Sequence, residues 1–315
     1  MRKLAIIALI WVLLFAVTLV VINEQLDLNE VQPDGSRNGI DDEGDVPGSG
    51  GTVLQVNASL VDSSWERGFE DLPVLNVEVD YSVWNVGNVS AEVVTIDITL
   101  GFEYYFGETI RDLPPSSRFT DSVSFSVGYD ESETITIEAC CNNETSSWSC
   151  VVDAELPRSP TWSMSKLFIT PSEYYVYSTW KEITSGLVPI HWIAIRNWVG
   201  KNIEYVQDEE IHNTSEFWQL SVETLKGRTG DCEDFAILLC SLLRADGWSA
   251  DDVYVVIGEN QAGKHHAWVK IRIPFAGWYN IEPQLDGWNT LLDDFLALHG
   301  YKAVINFNDQ HTIEL

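Results

Sequence analysis

The chain reads as three pieces in series: a helix able to span a membrane, an antiparallel β-sandwich, and an α+β domain. Three observations predict this class. An uncharged run extends from Leu4 to Ile22. Apolar residues alternate with polar ones through much of 53–157, the period of half-buried strands. Beyond residue 160 the apolar period changes to helical steps, then returns to alternation in two short consecutive strands.

The amino-terminal run makes about 28 Å of helix at about 1.5 Å per residue, enough to cross the hydrocarbon of a bilayer. A cleaved signal peptide has a shorter apolar core and a small-x-small site, whereas this run ends Val20-Val21-Ile22-Asn23-Glu24. Residues 4–22 are therefore expected to be an uncleaved signal anchor. Arg2 and Lys3 before the span, and acidic sequence after it, place residues 1–3 in the cytoplasm and the remainder outside. Asn57, Asn88, Asn143 and Asn213 each open an Asn-x-Ser/Thr triplet, compatible with an exported glycoprotein. The formal charge of −30, from 48 acidic and 18 basic residues, excludes nucleic acid as a partner, because phosphate contacts need clustered Lys and Arg.

Residues 23–52 are polar, acidic and Gly-rich, a composition that cannot bury enough apolar surface to fold alone. Within them Asp34, Ser36, Asn38, Asp42 and Asp45 occupy positions 1, 3, 5, 9 and 12 of a loop with Gly39 at position 6, resembling a calcium loop. Serine at position 3 and Asp instead of a bidentate Glu at 12 weaken it, so a solvated linker is preferred over a metal site.

Residues 53–157 carry the alternation. Leu75, Val77, Val79, Tyr81 and Val83 form one set; Val94, Ile96, Ile98 and Leu100, then Val123, Phe125 and Val127, then Ile135, Ile137 and Ala139 form others. Turn-forming Asn-Val-Gly-Asn and Leu-Pro-Pro-Ser-Ser segments between them predict an antiparallel sandwich. The stretch Val83-Trp84-Asn85-Val86-Gly87-Asn88 followed by Ala91 resembles adhesion-type immunoglobulin-like modules of microbial surface proteins. Outside the cell Cys150 is expected to pair with either Cys140 or Cys141, leaving one thiol over. The sandwich is expected to serve as a spacer or a docking module. Pro157 to Pro160 reads as a hinge to the next domain.

In the domain from 160 to 315, Ile190, Ile193, Ala194 and Trp198 mark an early helix. Later, Gly230-Asp231 sit where a helix entry and cap belong, and Phe235, Leu238, Leu239, Leu242 and Leu243 recur at helical steps behind them. Cys232 falls in the first turn, where free N–H groups and the helix dipole favour a thiolate. A nucleophilic thiol needs a base and an orienting group. The strand Lys264-His265-His266-Ala267-Trp268-Val269 and the next one, Trp278-Tyr279-Asn280-Ile281-Glu282-Pro283, supply both. Cys240, set among leucines, is read as core. A helix over Thr290–Leu298 and a strand over Tyr301–Phe307, without recognisable chemistry, close the chain.

The order Cys at a helix start, His-Ala-Trp-Val in a strand, and an acid before Pro in the next strand resembles the transglutaminase-like superfamily. Trp198-Val199-Gly200-Lys201-Asn202-Ile203-Glu204-Tyr205, Phe217-Trp218-Gln219 and Glu223-Thr224-Leu225 extend that resemblance over roughly 165 to 290. It implies a papain-like α+β fold with Cys232 as nucleophile, His266 as base and Glu282 as orienter, Glu standing where the family usually has Asp. Asn280, on the same strand face, is the alternative orienter. Strict alternation favours His265 over His266, and the motif favours His266; His265 is assigned to the cleft rim.

On the same footing, the Cys232 backbone N–H and the Gln219 amide are the expected oxyanion donors, with Trp218 in the core or the cleft beside them. Asp231, Glu233 and Asp234 crowd the nucleophile and oppose its ionisation. Either they turn away to cap the helix or a cation neutralises them, and calcium-dependent bacterial relatives sharing Asp-Cys-Glu-Asp imply calcium. No cofactor is otherwise required. The implied reaction is acyl transfer from a peptide or side-chain amide of a protein substrate through a thioester. Hydrolysis is favoured over transfer to an amine, and an inert surface-binding module is the opposing class.

Overall fold

The computed structural model describes residues 51–287 and 290–315. The expected anchor and residues 23–50 of the linker, with Asp34, Asn38, Asp42 and Asp45, lie outside the described residues. Among the described residues, no helix is long and apolar enough to cross a membrane.

Seven antiparallel strands come first: β1 Leu54–Arg67, β2 Pro73–Asn85, β3 Ala91–Leu100, β4 Glu103–Leu113, β5 Arg118–Gly128, β6 Ser132–Cys141 and β7 Glu144–Asp153. They form two sheets, in the orders β1-β2-β5 and β4-β3-β6-β7. The alternation explains why they face each other. Val77, Val79, Tyr81 and Val83 point inward from one sheet, and Val94, Ile96, Ile98, Ile135, Ile137 and Ala139 from the other, all buried in one apolar core. The turn after β2 is set by buried Asn85, whose amide donates to Val89 O at 2.8 Å and Leu113 O at 2.9 Å and whose Oδ1 accepts from Gly87 N at 3.1 Å.

Strand register corrects the disulfide expectation. Cys140 lies opposite Thr145 and Cys141 opposite Glu144, but Cys150 lies opposite Ile135. Cys150 is thus displaced along the ladder by about 17 Å from Cys140 and about 20 Å from Cys141, whereas bridged Cα atoms lie within about 7 Å. All of these thiols are free.

The connection expected to hinge is tied down. Residues 50–315 form one compact unit. Arg158 pairs with Asp130 in the sandwich and with Glu223 beyond it at 2.7 Å. Arg67, at the end of β1, donates to Ile169 O at 2.6 Å and to Lys166 O. Trp65, Leu72 and Tyr129 of the sandwich pack against the second core.

That second core surrounds one helix. Helices α1 Tyr174–Thr184 and α2 His191–Asn202 lead through β8 Glu204–Tyr205, α3 Asp208–Ile211 and α4 Ser221–Gly227 to β9 Thr229–Gly230 and then α5 Cys232–Ala245. Next come β10 Val253–Asn260, β11 His265–Ile273, β12 Gly277–Ile281, α6 Thr290–Ala297, β13 Tyr301–Phe307 and β14 Thr312–Glu314. The sheet runs β12-β11-β10-β13-β14. Sequence periodicity gives α5 a single apolar face, but every residue from Glu233 to Leu243 is buried. The reason is its central place: β10 and β11 cover one side, and α1, α2 and α4 the other. Ser241, within that helix, is satisfied by the hydroxyl of Ser221 at 2.7 Å and the N–H of Thr170 at 3.1 Å. The helix is therefore a rigid mount for its first residue.

Candidate active site

Cys232 opens α5 because the chain arrives through a narrow entry. Tyr205 and Gly230 pair in the parallel β8–β9 bridge. A Cβ on Gly230 would stand 2.7 Å from the Asp234 Cβ, so no larger residue fits between the bridge and the first turn. Asp234, three residues into the cap, accepts from Asp231 N at 3.2 Å, from Gln219 N at 2.8 Å and from Gln219 Nε2 at 2.8 Å. These contacts correct the oxyanion expectation for Gln219. Its amide is buried and holds Asp234, with Thr229 O as a second acceptor at 3.3 Å. Trp218 is also core: it stacks on Phe307 with ring centroids 5.5 Å apart, and its indole N–H donates to Glu216 at 2.6 Å.

His266 and Glu282 are brought together. Strand β11 places His266 opposite Gly258 of β10, and β12 pairs Ile281 with Val269, so Glu282 emerges just past the last rung. His266 Nε2 and Glu282 Oε2 lie 2.6 Å apart, with Glu282 nearly fully buried. Nε2 committed to the carboxylate leaves Nδ1 as the ring nitrogen for proton exchange. Trp268 and Tyr301 flank the imidazole at centroid distances of 6.4 and 5.3 Å. Gly258 makes room for that wall, since a Cβ there would meet the Trp268 ring at 2.5 Å. Asn280 is occupied elsewhere, accepting from the Trp268 indole at 3.2 Å. His265 is exposed at the strand end, opposite Glu259.

The electrostatics around Cys232 differ from a plain helix-start cysteine. The backbone N–H of Ala267, next to His266, faces the sulfur and favours thiolate, but burial, then Glu233 and Asp231, push the thiol well above its ordinary pKa. Its Sγ donates to Glu233 Oε2 at 3.3 Å. Helix-dipole stabilisation is thus outweighed by desolvation and two neighbouring carboxylates.

Those carboxylates belong to a larger cluster that includes Asp208. Ligand oxygens of Asp208, Asp231 and Asp234 lie within 4.8 Å of one another, as do the ligand atoms of Asp231, Cys232 and Glu233. Asp208 Oδ1, Asp231 Oδ1 and Glu233 Oε1 are buried without hydrogen-bond partners. Burial, then Asp231, pushes the Asp208 carboxyl up to about 7. Glu233 and Asp234 are also raised, burial being the largest cause in each. Oxygen-rich and short of donors, this pocket fits a hard divalent cation such as calcium.

Sequence reasoning passed over Asp208, Tyr205, Tyr301, Arg196 and Asp294. Tyr205 is half exposed beside the nucleophile, and its hydroxyl is pushed up to about 12 by burial, then by Cys232 and Asp231. Asp208 had a signal in principle, standing in the acidic triplet Asp208-Glu209-Glu210. Asp294 lies in the tail that offered no recognisable chemistry. The sequon residues Asn57, Asn88, Asn143 and Asn213 are all exposed.

Residues 191–283 match the model of the transglutaminase-like superfamily, so this stretch is a transglutaminase-like domain. Among solved structures, the chain is similar to calcium-bound LapG from Legionella pneumophila, at 20% identity over 44% of this chain and 74% of that one, TM-score 0.35. It is also similar to a candidate cysteine protease from Cytophaga hutchinsonii, at 13% identity over 82% of this chain and 90% of that one, TM-score 0.30. A CARDB domain from Pyrococcus furiosus in complex with di-metal ions is similar at 14% identity over 34% of this chain and 96% of that one, TM-score 0.27. No curated protein sequence matches.

Proposed function

We propose that the chain is a membrane-anchored, extracytoplasmic cysteine peptidase or amidase, acting through Cys232, His266 and Glu282. The observation that carries this reading is the buried 2.6 Å contact of His266 Nε2 with Glu282, one residue from the Ala267 N–H that faces the Cys232 sulfur. A base oriented by an acid, beside a thiol at a helix start, is the arrangement nucleophilic catalysis requires.

In this mechanism Nδ1 of His266 takes the thiol proton as Sγ attacks an amide carbon, and returns it to the departing amine. The C–N bond breaks and a thioester remains. Water, deprotonated by the same nitrogen, adds to the thioester and releases acid and thiol. The Cys232 backbone N–H points out of the free first turn and serves as one oxyanion donor. Gln219 cannot be the other while it holds Asp234.

Asp208, Asp231 and Asp234, whose oxygens lie within 4.8 Å of one another, would hold calcium, and the unpartnered oxygens of Asp208 and Asp231 support that assignment. A bound divalent cation supplies positive charge that offsets the carboxylates facing the thiol.

Mass spectrometry of a peptide mixture incubated with the full chain, with calcium and an added primary amine, tests the reading. New peptide termini that vanish in Cys232→Ala are expected. Amine-adducted glutamine instead of cleavage makes the protein a cross-linker, and no Cys232-dependent product at all returns it to the binding class.

A further inference from the structure

We infer that Asp294, held by Arg196, is a positioning residue for the Glu282–His266 pair, an inference that rests on the thiol-enzyme reading of Cys232. Arg196 is wholly buried and Asp294 is 1% exposed. Three donors converge on that carboxylate: Arg196 Nη2 at 2.8 Å, the Tyr279 hydroxyl at 2.6 Å and the backbone N–H of Glu282 at 3.1 Å.

Placement explains why two of those donors matter. Strand β12 ends at Ile281, whose partner is Val269, so Glu282 is the first residue beyond the ladder. Its backbone receives no hold from the sheet. Asp294 replaces that hold, gripping Glu282 directly and Tyr279 just upstream. The other carboxylate oxygen of Glu282 is fixed by Gln284 N at 3.2 Å, which leaves Oε2 aimed at the imidazole. The remaining arm of Arg196 donates to Asn197 Oδ1 at 2.9 Å, and that oxygen also accepts from Gly287 N at 3.2 Å. The segment carrying the orienting acid is thereby anchored at both ends to α2 and α6. A buried ion pair is seldom the most stabilising way to fill such a site; apolar residues serve the core as well. What the pair supplies here is a fixed exit for one strand.

The test uses the full chain. Deleting one partner alone strands a buried charge, so Arg196→Met/Asp294→Leu removes both, and Tyr279→Phe removes the hydroxyl that donates to Asp294 and no charge. The readouts are the imidazole 1H–15N signal of the Glu282-bound His266 Nε2 proton, the thermal midpoint, and kcat and KM on a peptide that the wild-type protein cleaves. The double variant is expected to fold, to lose the protected Nε2 proton signal, and to show kcat about 100-fold lower with KM within about twofold. Tyr279→Phe is expected to shift the same signal part-way. A folded double variant with an unchanged His266 signal overturns the proposal; if it does not fold, an unchanged signal in Tyr279→Phe does so. Absence of turnover in the wild-type protein defeats the enzyme reading, and the imidazole signal still decides the positioning one.

Discussion

Removing divalent cations and raising the pH together should weaken the fold, and Asp208 determines by how much. Its carboxyl, moved from 3.8 to about 7 by burial and then by Asp231, is protonated in the metal-free fold at pH 5 and ionised at pH 8. A carboxyl whose folded pKa lies above its unfolded value contributes stability that is fully present below the unfolded value and is lost as pH rises through the folded one. The window here runs from about pH 4 to about pH 7. A rise of about three units, at about 1.36 kcal/mol each, sets a ceiling of about 4 kcal/mol. Asp231 opens the pocket partly to solvent, and screening brings the effect to about 1–2 kcal/mol, or about 2–8 °C in Tm for a unit of this size. Asp208→Asn keeps an oxygen for the Phe217 N–H, which Asp208 Oδ2 accepts, but carries no charge. Thermal melts of both proteins in EDTA from pH 4 to 8 should show Asp208→Asn becoming the more stable by that margin as the pH rises, and gaining much less than wild type from millimolar calcium. A constant difference between the two across the window, or equal stabilisation by calcium, refutes the reasoning.

Glu282→Gln presents an amide where His266 needs an anion, and kcat/KM on a cleaved peptide should fall by about 10²–10⁴ with the fold intact; a loss under threefold removes Glu282 from its role. Gln219→Ala removes the side-chain amide that donates to the buried Asp234 and leaves the backbone N–H in place, so urea unfolding should show a loss of about 1–3 kcal/mol; lost turnover at unchanged stability would instead make Gln219 an oxyanion donor. Thiol titration of the unfolded, unreduced chain should count all 5 cysteines, and a count of three would restore a disulfide between Cys150 and its neighbours.

The sandwich was legible because alternation reports which side of a strand faces apolar neighbours, and Val77 to Val83 do so without exception. Alternation carries no register, however, and register is what separates Cys150 from Cys140 and Cys141. At His265 and His266 the pattern misled for a related reason. Ala267, Val269 and Ile271 belong to the core, but His265 is exposed at the strand end, whereas His266 meets Trp268, Tyr301 and Glu282. Residue order and motif placed the histidine and its acid; periodicity alone did not. The carboxylate pocket was half visible, since Asp231, Glu233 and Asp234 are neighbours in sequence, whereas Asp208 arrives through a separate short helix. Asp294 and Arg196 were invisible, because they meet across 98 residues and each, read alone, is an ordinary charge on an amphipathic helix.

The paired arginines at the join bear on how such a protein can change over evolutionary time. Arg67 directs its donors to backbone carbonyls of the second half, and Arg158 reaches both ways, while Trp65, Leu72 and Tyr129 help to close the second core. The boundary between the halves is therefore a poor place for shuffling. A recombinant that swaps in a foreign β-module, or lengthens the join by a few residues, inherits a thiol domain with an uncovered flank. The two halves are expected to travel through lineages together, and variation in what the protein meets should accumulate on β4, an outer strand of the sandwich that carries neither Arg67 nor Arg158.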